Sequence, residues 1–265
     1  AMKMVAAAKL RRAQEKVISA RPYARQLTAV LERLVASEIK IQHPLTEVRE
    51  VNRVAYVVVT GDRGLCGSYN INVIRRAGAA LRDAKAEPAL IPIGRKGRDF
   101  FRRRGRVSLV EFLNIGEEPG FARAREIAHK LMSLFLGGEV DEVRVVYTEF
   151  ISALQQKPVE VRLLPVATPA RDEKAPKGPP VEYIFEPSPD DVLNTLLPKF
   201  VEVQIYHTLL EAKASEQGAR MTAMGSATDN AAEMIQKLSL AFNQARQAQI
   251  TREISEIVGG ANALK

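Results

Sequence analysis

Val54 to Asn70 reads VAYVVVTGDRGLCGSYN, and this stretch decides the fold class. Val54 to Thr60 is a near-continuous β-branched run of the kind that forms a strand buried on both faces. A Gly-rich turn follows, and a helical pattern runs from about Ile71 to Ala84. Strand, turn and helix in that order predict the first unit of an α/β domain.

Downstream, shorter apolar runs at Ala89 to Ile93, Val107 to Leu113 and Val143 to Thr148 read as further strands. Helical patterns at Gly97 to Arg104 and Phe121 to Leu136 lie between them. The alternation predicts a parallel or mostly parallel sheet covered on both faces. A last alternating pair, Val159 to Val166 and Val181 to Phe185, flanks ATPARDEKAPKGPP at 167–180, whose Pro, Gly and charge mark an exposed loop.

Outward from this domain the period changes. Leu10, Ala13, Val17, Ala20, Ala24, Leu27, Leu31, Leu34 and Ile41 alternate by three and four, broken only by Glu38. That is a heptad seam, with Pro22 expected to distort it and Pro44 to end it. The rhythm returns at Leu196, Phe200, Val203, Leu210, Ala214, Met221, Met224, Ala231, Ile235, Leu238, Phe242 and Ala245, with Gly259 and Gly260 expected as the stop. A helix of about 70 residues is roughly 105 Å long. A compact chain of this size has a radius of gyration of about 18 Å, so the helix predicts an elongated molecule. Both seams are narrow, and their economical solution is an antiparallel coiled coil.

The chain has 265 residues, 39 Lys and Arg against 31 Asp and Glu, and one cysteine, Cys66. The net charge of +8 suits an acidic partner, and nine Lys or Arg from Lys3 to Lys40 against three Glu supply +6 of it. A lone cysteine excludes a disulfide framework and fits a reducing, cytosolic compartment. No apolar run approaches the roughly 18 residues of a membrane span, so any membrane link is expected through a partner. A helical pattern is already running at Met2 without a cap, which reads as a truncated start.

Candidate chemistry is thin. Gly61, Gly64 and Gly67 suggest a phosphate cradle, but the spacing fits neither the dinucleotide fingerprint nor a P-loop, and a tight strand-to-helix turn is the plainer reading. Arg95, Lys96, Arg98, Arg102, Arg103, Arg104 and Arg106, with Phe100 and Phe101 among them, suit either nucleic acid or a short helix with Phe inward and a solvated basic face; the second is favoured. His43, His129 and His207 lie on separate elements without metal-ligand spacing, and Cys66 reads as a small buried hydrophobe. Neither a catalytic set nor a cofactor or metal site is expected. A basic coiled-coil module binding nucleic acid is the runner-up function, and a nucleotide-binding enzyme the third.

MKMVAAAKLRRAQ at Met2 to Gln14, SARPYA at Ser19 to Ala24, TGDRGLCGSYN at Thr60 to Asn70 and YIFEP at Tyr183 to Pro187 form an ordered series. ASEQGARMTAMGSATDNA at Ala214 to Ala231 and ARQAQITREISEIVGGANAL at Ala245 to Leu264 complete it. Together they resemble the gamma subunit of the F-type ATP synthase over the whole chain. The resemblance implies a non-catalytic central-stalk rotor. Its partners would be three alpha and three beta subunits around one gamma, an epsilon subunit and a membrane c-ring. It would sit peripherally on the cytoplasmic face of a bacterial cell membrane, with no cofactor and no nucleic acid. Carried over by residue, it implies beta-subunit contacts at Arg246, Gln247, Thr251, Arg220, Met2 and Lys3. It implies a tip turning in an apolar bearing at Ile254, Ile257 and Val258, and a foot toward the c-ring and epsilon at Tyr183, Phe185 and Glu186. Phe185 stands where many relatives have Tyr, the first twenty or so family residues are not present, and the cysteine pair of chloroplast relatives is missing.

The expected fold class is therefore α/β: a small Rossmann-like α/β domain at 51–187, inserted between two long terminal helices, 1–50 and 188–265, that form an antiparallel coiled coil.

Overall fold

In the computed structural model, residues 2–36, 43–167 and 189–263 are described. The β-branched run becomes β1 (Arg53–Val59), and the helix after the turn becomes α2 (Tyr69–Asp83). Then come β2 (Glu87–Ile93), α3 (Arg95–Arg102), α4 (Phe121–Leu136), β3 (Glu142–Phe150) and β4 (Gln156–Leu164). The terminal helices are α1 (Met2–Ala36), unbroken across Pro22, and α5 (Pro189–Ala263). Strand order is β2-β1-β3-β4, with the first three parallel and β4 antiparallel at the edge.

Alternation along β1 divides the core. Ala55, Val57 and Val59 face Ile127, Leu131 and Phe135 of α4 and Leu197, Val201 and Ile205 of α5. Val54, Tyr56 and Val58 face Val73, Ile74, Ala77 and Leu81 of α2 and Phe101 of α3. Because both faces are covered, no residue of β1 after Arg53 is left for water, which is why the run needs no polar alternation.

The heptad seams meet through reversed order. Leu10 and Val17 of α1 share a cluster with Leu210 and Ala214, whereas Leu31 shares one with Leu193 and Leu197. Rising numbers on one helix against falling numbers on the other is the antiparallel pairing the seams predict. The chain divides into two compact units, Ala1–Thr222 and Ala223–Lys265. Within the second, every residue from 226 to 262 is exposed. The seam positions Ala231, Ile235, Leu238, Phe242 and Ala245 thus lack the intrachain burial that the pattern suggests.

Two expectations are corrected. Val107 to Leu113 forms no strand; it touches β2 only through isolated bridges at Leu90 with Ser108 and Ile93 with Phe112. Pro88 and Pro92 lie in β2 without N–H groups, so a continuous outer ladder has too few donors. Gly259 and Gly260 do not stop α5, which continues to Ala263. Neither glycine has the positive φ that a left-handed helix stop requires. The expected strand at Val181 to Phe185, most of the loop at 167–180 and the seam position Ile41 lie outside the described residues.

Candidate functional site

The C-terminal ends of parallel strands are where an α/β sheet holds a ligand, so the Gly-rich turn after β1 is the first place to look. Its left-handed positions are Leu65 and Gly67, at φ 61° and 54°, not Gly61 or Gly64. Asn70 ties the turn closed: its Oδ1 accepts from Gly61 N at 2.8 Å, and its Nδ2 donates to Arg63 O at 3.3 Å. Asp62 Oδ1 accepts from Arg95 N at 3.0 Å, and Thr60 Oγ1 accepts from Gly97 N at 2.9 Å. Gly94 is forced here, since it has φ 93° and a Cβ would stand 2.1 Å from Thr60 O.

The space above the strands is occupied by α5. Glu216 is buried, and a Cβ on Gly61 would stand 3.1 Å from its Cδ. Lys213 Nζ lies 3.1 Å from one Glu216 oxygen, and Arg220 Nη2 lies 2.6 Å from the other. The same Arg220 nitrogen donates to Gly64 O at 3.3 Å. A carboxylate thus packs against the turn, and two cations already answer it. Burial, then the Glu216 charge, pushes the Tyr69 hydroxyl and the Cys66 thiol up. The turn is a structural joint between the sheet and α5, as its plain reading holds.

The other titratable candidates are engaged likewise. His43 Nδ1 accepts from Leu45 N at 3.0 Å, capping a short 3-10 turn, and burial lowers its pKa. His129 Nε2 is 2.8 Å from Glu202 Oε1, joining α4 to α5, and His207 Nε2 is 3.6 Å from Glu211 Oε1. No group of His, Cys, Asp or Glu among the described residues can hold a metal ion. Phe101 of α3 is buried and the Arg104 guanidinium covers Phe100 at 3.7 Å, with the basic side chains Arg102 to Arg104 and Arg106 exposed. That matches the short helix with a solvated basic face favoured for the arginine block.

The residues singled out by resemblance fall into three groups. Met2 and Lys3 are exposed on α1, and Arg220 is half-buried in the joint just described. Arg246, Gln247, Thr251, Ile254, Ile257 and Val258 are all exposed on the 223–263 part of α5. There Gln247, Thr251, Ile254 and Val258 follow helical spacing and share one face. Tyr183, Phe185 and Glu186 lie outside the described residues. Sequence reasoning missed Glu211, Lys213 and Glu216; the signal was three charges within the apolar seam LLEAKASEQ, where a packed helix needs a partner for each.

A family model described as ATP synthase matches residues 1–264. The ATP synthase gamma chain of Heliobacterium modesticaldum is 59% identical over 268 residues, spanning 100% of this chain and 92% of that protein. That of Symbiobacterium thermophilum is 58% identical over 267 residues, with the same coverage. Among solved structures, the central stalk and c-ring of Tetrahymena thermophila mitochondrial ATP synthase contains a chain with TM-score 0.65 and 25% identity, covering 86% of this chain and 97% of that one. A chain of the Euglena gracilis mitochondrial ATP synthase rotor shares the fold at TM-score 0.60 and 16% identity, covering 92% of this chain and 99% of that one. With ordered motifs, α/β architecture and relatives agreeing along its whole length, the chain belongs to the ATP synthase gamma chain family.

Proposed function

We propose that this chain is the central-stalk rotor of a proton-translocating ATP synthase. It couples rotation of a membrane c-ring to conformational change at catalytic beta subunits and carries out no chemistry itself. The observation that supports this most is the 223–263 part of α5. It exposes Met234, Ile235, Leu238, Leu240, Phe242, Ile250, Ile254, Ile257 and Val258, each at least 47% accessible. So much apolar surface on one helix marks an interaction site rather than a solvated face. A sleeve of surrounding subunits covers it.

Under this reading 188–265 is the shaft with 1–50 beside it, and 51–187 is the foot. Arg246, Gln247 and Thr251 offer directional contacts to beta, and Arg220, Met2 and Lys3 offer others. Ile254, Ile257 and Val258 turn in an apolar bearing, where few directional bonds keep rotation smooth. Tyr183, Phe185 and Glu186 meet the c-ring and epsilon. An asymmetric shaft that touches three beta subunits differently shifts each one's conformational equilibrium by its differential contact energy. No helix among the described residues is long and apolar enough to cross a membrane. Attachment to the cytoplasmic face of a bacterial membrane therefore runs through the c-ring, and the acidic neighbours that +8 suits are protein surfaces rather than nucleic acid.

Affinity-tagged full chain purified from its native host, followed by intact-mass measurement, tests the reading. One copy of this chain with three alpha and three beta subunits is the expected result. A lone or nucleic-acid-bound chain would overturn it.

A further inference from the structure

Two buried glutamates of α5 have contrasting surroundings. Glu216 has Lys213 and Arg220 within hydrogen-bond distance. Glu211, 4% exposed, has no cation that close. Arg21 Nη2 of α1 stands 3.9 Å from its Oε1, and His207 Nε2, one turn back on α5, stands 3.6 Å away. From β3, the Tyr147 hydroxyl and the Glu149 carboxylate act on the Glu211 carboxyl, the first favouring its charged form and the second opposing it. Among the described residues, these four are the charged or titratable groups around Glu211 from α1, β3 and α5. The apolar cluster of Leu10, Val17, Phe150, Leu210 and Ala214 fills the same three-way junction. An ionised carboxylate there has given up water for one distant, partly solvated guanidinium and a like charge.

We propose that Glu211 is a proton-binding site that latches α1 to β3 and α5: with the proton bound the junction closes without a buried charge, and without it the closed junction is weakened. Burial, followed by the charge of Glu149, pushes the Glu211 carboxyl up to about 7, against the opposing pull of Arg21 and the Tyr147 hydroxyl. When the junction opens, Glu211 returns to water and its ordinary value. The stabilisation is therefore full below the ordinary carboxylate range and is lost as pH rises through about 7. His207 has the opposite sign, because burial lowers its pKa and its contribution is lost as pH falls. The two slopes oppose each other in wild type, so they are separated by variants. The inference goes beyond the rotor reading and stands on the chain alone.

Hydrogen–deuterium exchange of the full chain, followed at the amides of residues 13–24 and corrected for intrinsic rates, is the test. The ratio of wild-type protection to that of Glu211→Gln is expected to fall about tenfold or more between about pH 5 and about pH 7.5, then level off. In Arg21→Met the midpoint moves to higher pH, since the removed cation favours the ionised form. A ratio flat with pH overturns the proposal, as does a midpoint unmoved in Arg21→Met. Should Glu211→Gln fail to fold, His207→Gln removes the opposing imidazole. The fall must then appear in that variant's own protection, and its absence overturns the proposal equally.

Discussion

At the scale of single residues, backbone geometry and burial decide more than chemistry does. Gly94 is the sharpest case: φ 93° and a Cβ 2.1 Å from Thr60 O leave no side chain room, because backbone cannot yield as a flexible side chain can. Gly94→Ala is expected to lower unfolding free energy by about 3 kcal/mol or more, read from urea denaturation of the full chain. By contrast Gly78, where an added Cβ would meet nothing within 4 Å, is expected to accept Ala and gain helix propensity. Phe135 is fully buried among α4, the sheet and α5, and Phe135→Ala should cost about 3–5 kcal/mol in the same measurement. Thr60 and Gly97 were legible only as parts of a strand and a basic block. Their hydrogen bond across 37 positions belongs to the tertiary fold.

At the scale of elements, α1 is held by two kinds of contact. Lys9 pairs with Glu117 and Lys16 with Glu118, which straps the 114–120 loop over the helix. The lysine hydrogen bonds hold both carboxyls below their usual value. Their contribution is therefore present above the ordinary carboxylate range and lost as pH falls through the lowered values. Leu10 and Val17, on the other hand, are buried against α5. The double variant Lys9→Ala, Lys16→Ala should change stability little and lose even that effect in concentrated salt, since exposed pairs are screened. Leu10→Ala should cost about 2–5 kcal/mol at any salt. Paired urea titrations at low and high ionic strength distinguish the two. Heptad spacing showed which residues of α1 are apolar. It did not show that Glu117 and Glu118, about a hundred residues away, strap the polar face.

At the scale of the whole molecule, the proposed bearing residues on the 223–263 part of α5 are exposed in the isolated chain. Ile254, Ile257 and Val258 are 56%, 71% and 53% exposed, so replacing all three with Ser should leave the unfolding of the isolated chain unchanged. In the reconstituted complex the same variant should lower the maximum rotation-coupled ATPase rate, and an unchanged rate would remove their bearing role. Arg246→Ala with Gln247→Ala is expected to reduce proton-driven ATP synthesis in vesicles several-fold while the assembled complex purifies in normal yield. Equal losses of assembly and synthesis would assign them to holding rather than coupling.

Local sequence was enough to determine the α/β class, the two-sided burial of β1, the antiparallel seam as far as Ala214, and the family. Each of these is written in periodicity or in contiguous motifs, and both survive without knowledge of distant contacts. Tertiary structure alone decided that Val107 to Leu113 stays off the sheet, because the deciding prolines lie on a different strand. It also decided that Glu216 packs against the Gly61 turn with Lys213 and Arg220, and that Glu211 is buried beside Arg21 of α1. A charge on a helix looks the same in sequence whether it faces water or a buried junction. What separates the two cases is solvation, and solvation is set by whatever the rest of the chain folds against it.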